Sequence, residues 1–144
     1  GKWIRFCGWY PDRKIRLWDR RRAHWAGEDP HDKLIIPGNK VMVLKGDLLH
    51  MTFDTMDEHL RQLQRFSEIA AKAKYKNGKN PVLMIHVVLS PVFKFFKKYI
   101  LQLGFLDGYY GFVVCSTASA LTFHKYLRLY EYRRITARSV KSRQ

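Results

Sequence analysis

Thr55-Met56-Asp57-Glu58-His59-Leu60 is the stretch from which the rest of the chain is best read. A threonine followed three residues later by a glutamate is a capping box, in which two backbone donors at a helix start are satisfied reciprocally. Met56, Leu60, Leu63, Phe66, Ala70 and Ala73 then recur at intervals of three and four, the spacing of one helical face. Asn77-Gly78 supplies the stop. A long helix opening here divides the 144 residues into a turn-rich first part and a periodic second part, with the boundary at residue 54.

Upstream of that boundary lie all four tryptophans (Trp3, Trp9, Trp18, Trp25) and three of the five prolines (Pro11, Pro30, Pro37). Lys14-Ile15-Arg16-Leu17-Trp18-Asp19 alternates as a strand does, with Ile15 and Leu17 on one face. Val41-Met42-Val43-Leu44 is a second expected strand, and Lys45-Gly46-Asp47 a turn into a third over residues 48–53. Pro11-Asp12 and Pro37-Gly38-Asn39 read as turns. Downstream, Ser90-Pro91 reads as an N-cap and first helical residue, with Gly104 as the stop of a helix over residues 92–103. A last helix is expected from about residue 110 to 132. The expected organisation is therefore a β-rich part (1–54), a helical part (55–133) and a basic, flexible tail (134–144).

Composition narrows the function classes. Hydrophobic residues at 47% and aromatics at 15% exclude a disordered chain, since enough apolar surface is present to offset ordering entropy. The formal charge of +15 calls for an anionic partner: nucleic acid, anionic lipid or a phosphorylated substrate. Cys7 and Cys115 are the only cysteines, which excludes a disulfide framework and a cysteine zinc site and makes a reducing compartment the default. The phosphate-loop, dinucleotide, zincin and nucleophile-elbow motifs are all absent. The opening Gly1-Lys2-Trp3-Ile4 has neither an initiator Met nor a signal-peptide pattern, the expectation being a processed or trimmed chain or a piece of something larger.

Three constellations bear on chemistry. Lys94, Lys97 and Lys98 share a helical face beside Phe93, Phe96, Tyr99, Ile100 and Leu103, an arrangement suited to a helix lying in a lipid interface and equally to an ordinary amphipathic helix with a solvated lysine face. Residues 105–123 are mostly uncharged, but with Asp107, two glycines, and Ser116, Thr117 and Ser119 among them they read as a packed helix rather than a span. Glu28, Asp29, His31 and Asp32 crowd one loop, where a carboxylate can serve as a general base or the group can bind a divalent ion, or simply be solvated. His50 ends an apolar strand and is either a core histidine or a metal ligand. His24, His59, His86 and His124 have no partners at ligand spacing and read as structural.

Taken in order, several phrases resemble the second half of a bacterial family 2 glycosyltransferase of the lipopolysaccharide-core and capsule type. They are Gly8-Trp9-Tyr10-Pro11-Asp12, then Lys14-Ile15-Arg16-Leu17-Trp18, then Trp25-Ala26-Gly27 leading to His31-Asp32, and then Asp47-Leu48-Leu49-His50. Lys97-Lys98-Tyr99-Ile100 with Gly104-Phe105-Leu106-Asp107-Gly108-Tyr109-Tyr110-Gly111, and Phe123-His124-Lys125-Tyr126, resemble the family's closing segment. The similarity runs from Trp3 to about Tyr132.

That resemblance implies an α/β fold, α+β for this part alone: the C-terminal half of a Rossmann-like GT-A domain, short strands followed by three or more helices. It implies transfer of a sugar from a nucleotide-sugar donor to a lipid-linked or lipopolysaccharide-type acceptor in cell-envelope synthesis, with a divalent metal (Mg or Mn) on the diphosphate. The family's nucleotide-binding half and its DxD acids precede the W-Y-P-D phrase, so this chain is expected to be the acceptor-side half, inactive by itself. Asp32 then corresponds to the catalytic base, an Asp where Glu is common and so one methylene shorter. His31, Asp12 and Arg16 correspond to substrate-binding positions, with Arg16 able to neutralise diphosphate charge. His50 corresponds to the strand-end histidine near the metal. Lys94, Lys97, Lys98, Phe96 and Tyr99 would contact an anionic membrane surface, giving a cytoplasmic protein peripheral on the inner face of the cell membrane. The alternative is a basic nucleic-acid-binding or membrane-surface module without catalysis. Nucleic acid is not favoured, because the chain carries no RRM, KH or zinc-finger signature.

Overall fold

The computed structural model describes residues 3–27, 33–36, 38, 41–50 and 54–141. They fall into two compact units, Arg13–Asp54 and a helical unit made of Gly1–Asp12 with Thr55–Gln144. The expected boundary at residue 54 thus needs one correction: the first twelve residues belong with the helices.

In the Arg13–Asp54 unit, β1 (His24–Ala26) and β2 (Lys33–Ile35) form an antiparallel ribbon with Trp25 opposite Leu34. Trp18 packs edge-on against Trp25, ring centroids 5.7 Å apart. Before β1, the Asp19 carboxylate accepts from Arg21 N–H at 2.9 Å and from its guanidinium at 3.1 and 3.0 Å, closing a turn. The strands expected over residues 14–19 and 41–44 do not form, nor is there strand structure in 48–50; residues 51–53 lie outside the described residues. The physical reason is the lack of a partner. A strand's alternate N–H and C=O groups need a neighbouring ladder, and β propensity alone does not supply one. The side chains that would have covered such a sheet stand in solvent, Leu17 at 81% exposure and Met42 at 88%.

The helical unit opens with α1 (Met56–Lys76), and the capping box is present as read: Glu58 N–H donates to Thr55 Oγ1 at 3.2 Å, and the Glu58 carboxylate accepts from Thr55 N–H. Its buried face differs from the one expected. Leu63, Ser67 and Ala71 are buried, while Met56, Leu60 and Phe66 are exposed, because small side chains let α1 approach α3 (Gly108–Lys141) closely. The last carbonyls of α1 accept from the chain that follows, Ala73 O from Asn77 N–H, Lys74 O from Lys79 N–H and Tyr75 O from Gly78 N–H, each at 3.1 Å, and α3 ties down the same turn. Arg133 donates to Tyr75 O at 3.0 Å and Lys79 O at 3.2 Å, and its guanidinium lies 4.4 Å from the Tyr75 ring centre.

The next helical stretch starts earlier than Ser90-Pro91 suggested. A π-helical segment, Leu83–Leu89, runs into α2 (Ser90–Phe96) and a second π-helical segment, Lys97–Leu101. Ser90 is therefore inside the helix, where its hydroxyl donates to Ile85 O at 3.0 Å instead of capping. The start is secured by His86, whose Nδ1 accepts from Val82 N–H at 2.9 Å. The stop falls at Leu103, in left-handed conformation with φ 54°, followed by a 3-10 turn, Gly104–Asp107. The basic tail read as flexible is helical as far as Lys141.

Residues 104–115 lock the N-terminal segment in place. The Asp107 carboxylate, 3% exposed, accepts from Phe6 N–H at 2.9 Å and Arg5 N–H at 3.2 Å. Cys7 N–H donates to Gln102 O at 3.1 Å, and Lys98 Nζ donates to Cys7 O. Cys7 and Cys115 are free and fully buried, Sγ to Sγ 3.2 Å, in a core with Val114, Ile4, Trp9, Phe95 and Tyr99. Two glycines allow this closeness. A Cβ on Gly104 would meet Cys115 Sγ at 2.7 Å and Cys7 Sγ at 2.8 Å; one on Gly111 would collide with Gly104 O.

Because the atom in the way at Gly111 is backbone, Gly111→Ala is expected to destabilise the helical unit by about 3 kcal/mol, read as a lowered urea midpoint. Burial first, then the Cys115 thiol beside it, pushes the Cys7 thiol up to about 12. With its thiolate disfavoured and its sulfur fully buried, Cys7 should go unlabelled by iodoacetamide in the native chain and be labelled at once in urea. Labelling at the rate of a free thiol without urea would contradict the packing.

Candidate functional site

The sequence-predicted catalytic loop falls between the two paired strands. His31 and Asp32, with Glu28 and Asp29, lie outside the described residues. Asp32 directly precedes β2 in the chain. Asp12 ends the segment that belongs to the helical unit, Arg16 is in the other unit, and both are exposed. The Tyr10–Pro11 bond beside Asp12 is cis.

His50 is exposed, in backbone without regular structure. No group of three or more His, Cys, Asp or Glu able to hold a metal occurs among the described residues. A magnesium or manganese ion takes several oxygen ligands, and His50 brings one nitrogen, so the described residues do not fit a metal centre.

The lysine face expected at 94, 97 and 98 is divided. Lys94 and Lys97 are exposed, whereas Lys98 turns inward to Cys7 O, its pKa lowered by burial and then by Lys94. Tyr99 is also turned in, stacked on Phe95 at 5.2 Å and edge-on to Phe112 at 6.0 Å. Phe96 remains outside, 52% exposed. It belongs to a row every fourth residue, Met84, Val88, Val92, Phe96 and Ile100, in which each member is at least 46% exposed. This apolar face, with Lys94 and Lys97 on the same helical stretch, is the largest departure from an ordinary solvated helix. No helix among the described residues is long and apolar enough to cross a membrane.

Beside it lies a feature that sequence reasoning missed. An open groove of about 400 Å³ runs between this stretch and α3, lined among others by Leu89, Phe93, Lys94, Lys97, Lys125 and Tyr126. None of its lining residues is acidic. Lys125 is half-buried, its Nζ 4.4 Å from the Tyr126 ring centre, and Lys74 reaches the same ring at 5.5 Å. His86 packs on Tyr126 at 5.1 Å and so fixes the ring. Burial, then Lys74 and Lys94, push the Lys125 pKa down to about 8. Against an unfolded value near 10.5, the folded state disfavours the charge. Stability from this group is thus lowest below about pH 8 and rises as pH climbs from 8 to 10.5. The signal for it was in the sequence: Thr122, Lys125, Tyr126 and Leu129 are spaced by three and four, and the buried Thr122 and Leu129 carry the two between them inward. Compared with known proteins, the chain matches no family model and no solved structure.

Proposed function

We propose that the chain is the acceptor-side half of a GT-A glycosyltransferase of family 2, acting with a nucleotide-binding half. The reaction is transfer of a sugar from a nucleotide-sugar to a lipid-linked or lipopolysaccharide-type acceptor, at the inner face of the cell membrane. The observation that carries this reading is the bare strand-type sequence of the Arg13–Asp54 unit. Val41, Met42, Val43, Leu44, Leu48 and Leu49 are each at least 62% exposed, with no ladder partner among the described residues. Such segments have the composition of sheet strands and the exposure of strands whose sheet is elsewhere. They sit among the phrases that resemble the family, and a Rossmann-like sheet from a nucleotide-binding half is the partner that resemblance implies.

In the mechanism, Asp32 takes the proton from the acceptor hydroxyl as that oxygen attacks the sugar's anomeric carbon. The resemblance makes His31 and Asp12 substrate-binding positions, and Arg16 offsets charge on the departing diphosphate. The metal would neutralise that diphosphate, held chiefly by acids of the other half. The exposed apolar row with Lys94 and Lys97 supports a position at the membrane surface, where an acceptor with a lipid anchor is found.

Two outcomes are expected. Joined to its nucleotide-binding half, the Asp32→Asn protein should bind donor as the parent does and lose about 10²–10⁴ in kcat; a near-normal kcat would remove Asp32 as the base. The 144-residue chain should also sediment with anionic vesicles. Each surface lysine contributes about 1 kcal/mol, so Lys94→Gln with Lys97→Gln should weaken sedimentation roughly thirtyfold. High salt should weaken it and leave the apolar share, whereas binding to nucleic acid would fall by orders of magnitude.

A further inference from the structure

We infer that the groove between α2 and α3 is a binding site for the phosphate headgroup of an anionic lipid, with Lys94, Lys97 and Lys125 on the phosphate oxygens and the lipid chain along Leu89 and Phe93. It rests on the membrane-surface part of the reading above and is independent of the transferase part.

The argument is one of charge and shape. Three lysines from two helices converge on one groove whose lining includes no acid, and none of the three is ion-paired to a described acid. Lys125 is half-buried between cations from different elements, Lys74 on α1 and Lys94 on α2. Lys97 adds a third beside the groove, and His86 faces Tyr126 from the π-helical segment before α2. Burying an ammonium among like charges is unfavourable unless an anion shares the site. An anion there favours the charged form of Lys125 and offsets the repulsion between the lysines. A lipid fits better than free phosphate because the wall is amphiphilic: Phe93, 65% exposed, and Leu89, 53% exposed, continue from the lysines to the exposed apolar row. A bare phosphate would leave that wall in water.

The probe is dihexanoyl phosphatidylglycerol below its micelle concentration, titrated calorimetrically into the chain. Its phosphodiester keeps a constant charge from pH 7 to 9.5, so any pH dependence comes from the protein. At pH 7 it should bind at least tenfold tighter than dihexanoyl phosphatidylcholine or inorganic phosphate. Affinity should fall severalfold by pH 9.5 as Lys125 loses its proton. Lys125→Met should cost about fivefold at pH 7 and flatten the pH profile. Should Lys125→Met lose its helical circular dichroism, the exposed Lys94→Met is the second variant, again expected to weaken binding about fivefold. Binding by a folded Lys125→Met equal to the parent's, or an unaltered pH profile, would overturn the site; without that folded variant, a silent Lys94→Met would do so. Inorganic phosphate binding as tightly as the lipid would overturn the lipid headgroup as ligand. Monomer binding in a chain that ignores vesicles refutes the membrane-surface reading alone, and vesicle binding without monomer binding refutes the groove alone.

Discussion

The buried carboxylate of Asp107 is the constraint on which the helical unit turns. It takes the backbone N–H groups of Arg5 and Phe6, which have no strand to pair with, and so holds the N-terminal segment against helices about a hundred residues away in the chain. Charge-assisted bonds of this kind are roughly twice as strong as neutral ones, and buried donors left without them would be costly. Every neighbour of Asp107 serves the same closeness. Gly111 leaves room for Gly104 O, Gly104 leaves room for the two cysteine sulfurs, and Lys98 is pulled off the surface to the carbonyl of Cys7.

That pull reshapes the basic helix. With Lys98 and Tyr99 committed inward, the outer face of the stretch from Leu83 to Leu101 is left to apolar residues, with Lys94 and Lys97 as its free cations. The π-helical segments at either end matter here, since each shifts the side chains after it relative to α-helical spacing. The groove beside α3 follows from the same packing. Ser119 donates to Pro91 O at 2.7 Å and so ties α3 to α2, and the helix surface beyond brings Lys125 and Tyr126 opposite Lys94.

Several features were legible in residue order because their causes are local. The capping box at Thr55 and Glu58 needs only four residues, and the stop at Asn77-Gly78 only two. The strands expected at 14–19 and 41–44 do not form for the opposite reason: alternation reports what a segment would do beside a partner, and the ladder must come from another segment. The candidate site divides in the same way. Acids and an imidazole that are neighbours in residue order are enough to single out Asp32 as a candidate, whereas spacing within α3 marks Lys125 and Tyr126 but not the groove, because its other two lysines come from a different stretch of helix.

By itself, then, the sequence determined the extent of α1, the excess of positive charge, the absence of a cysteine framework and the order of the phrases on which the functional reading rests. These follow from neighbours in the chain or from composition, for which no long-range contact is needed. Only the tertiary structure decided that Asp107 and its glycines serve the N-terminal segment, that Ser67 and Ala71 rather than Phe66 face the core, and that Lys98 is withdrawn while Lys125 enters a groove. Each of those depends on which distant atoms come within a few ångströms, and spacing along one helix carries no information about what packs against it.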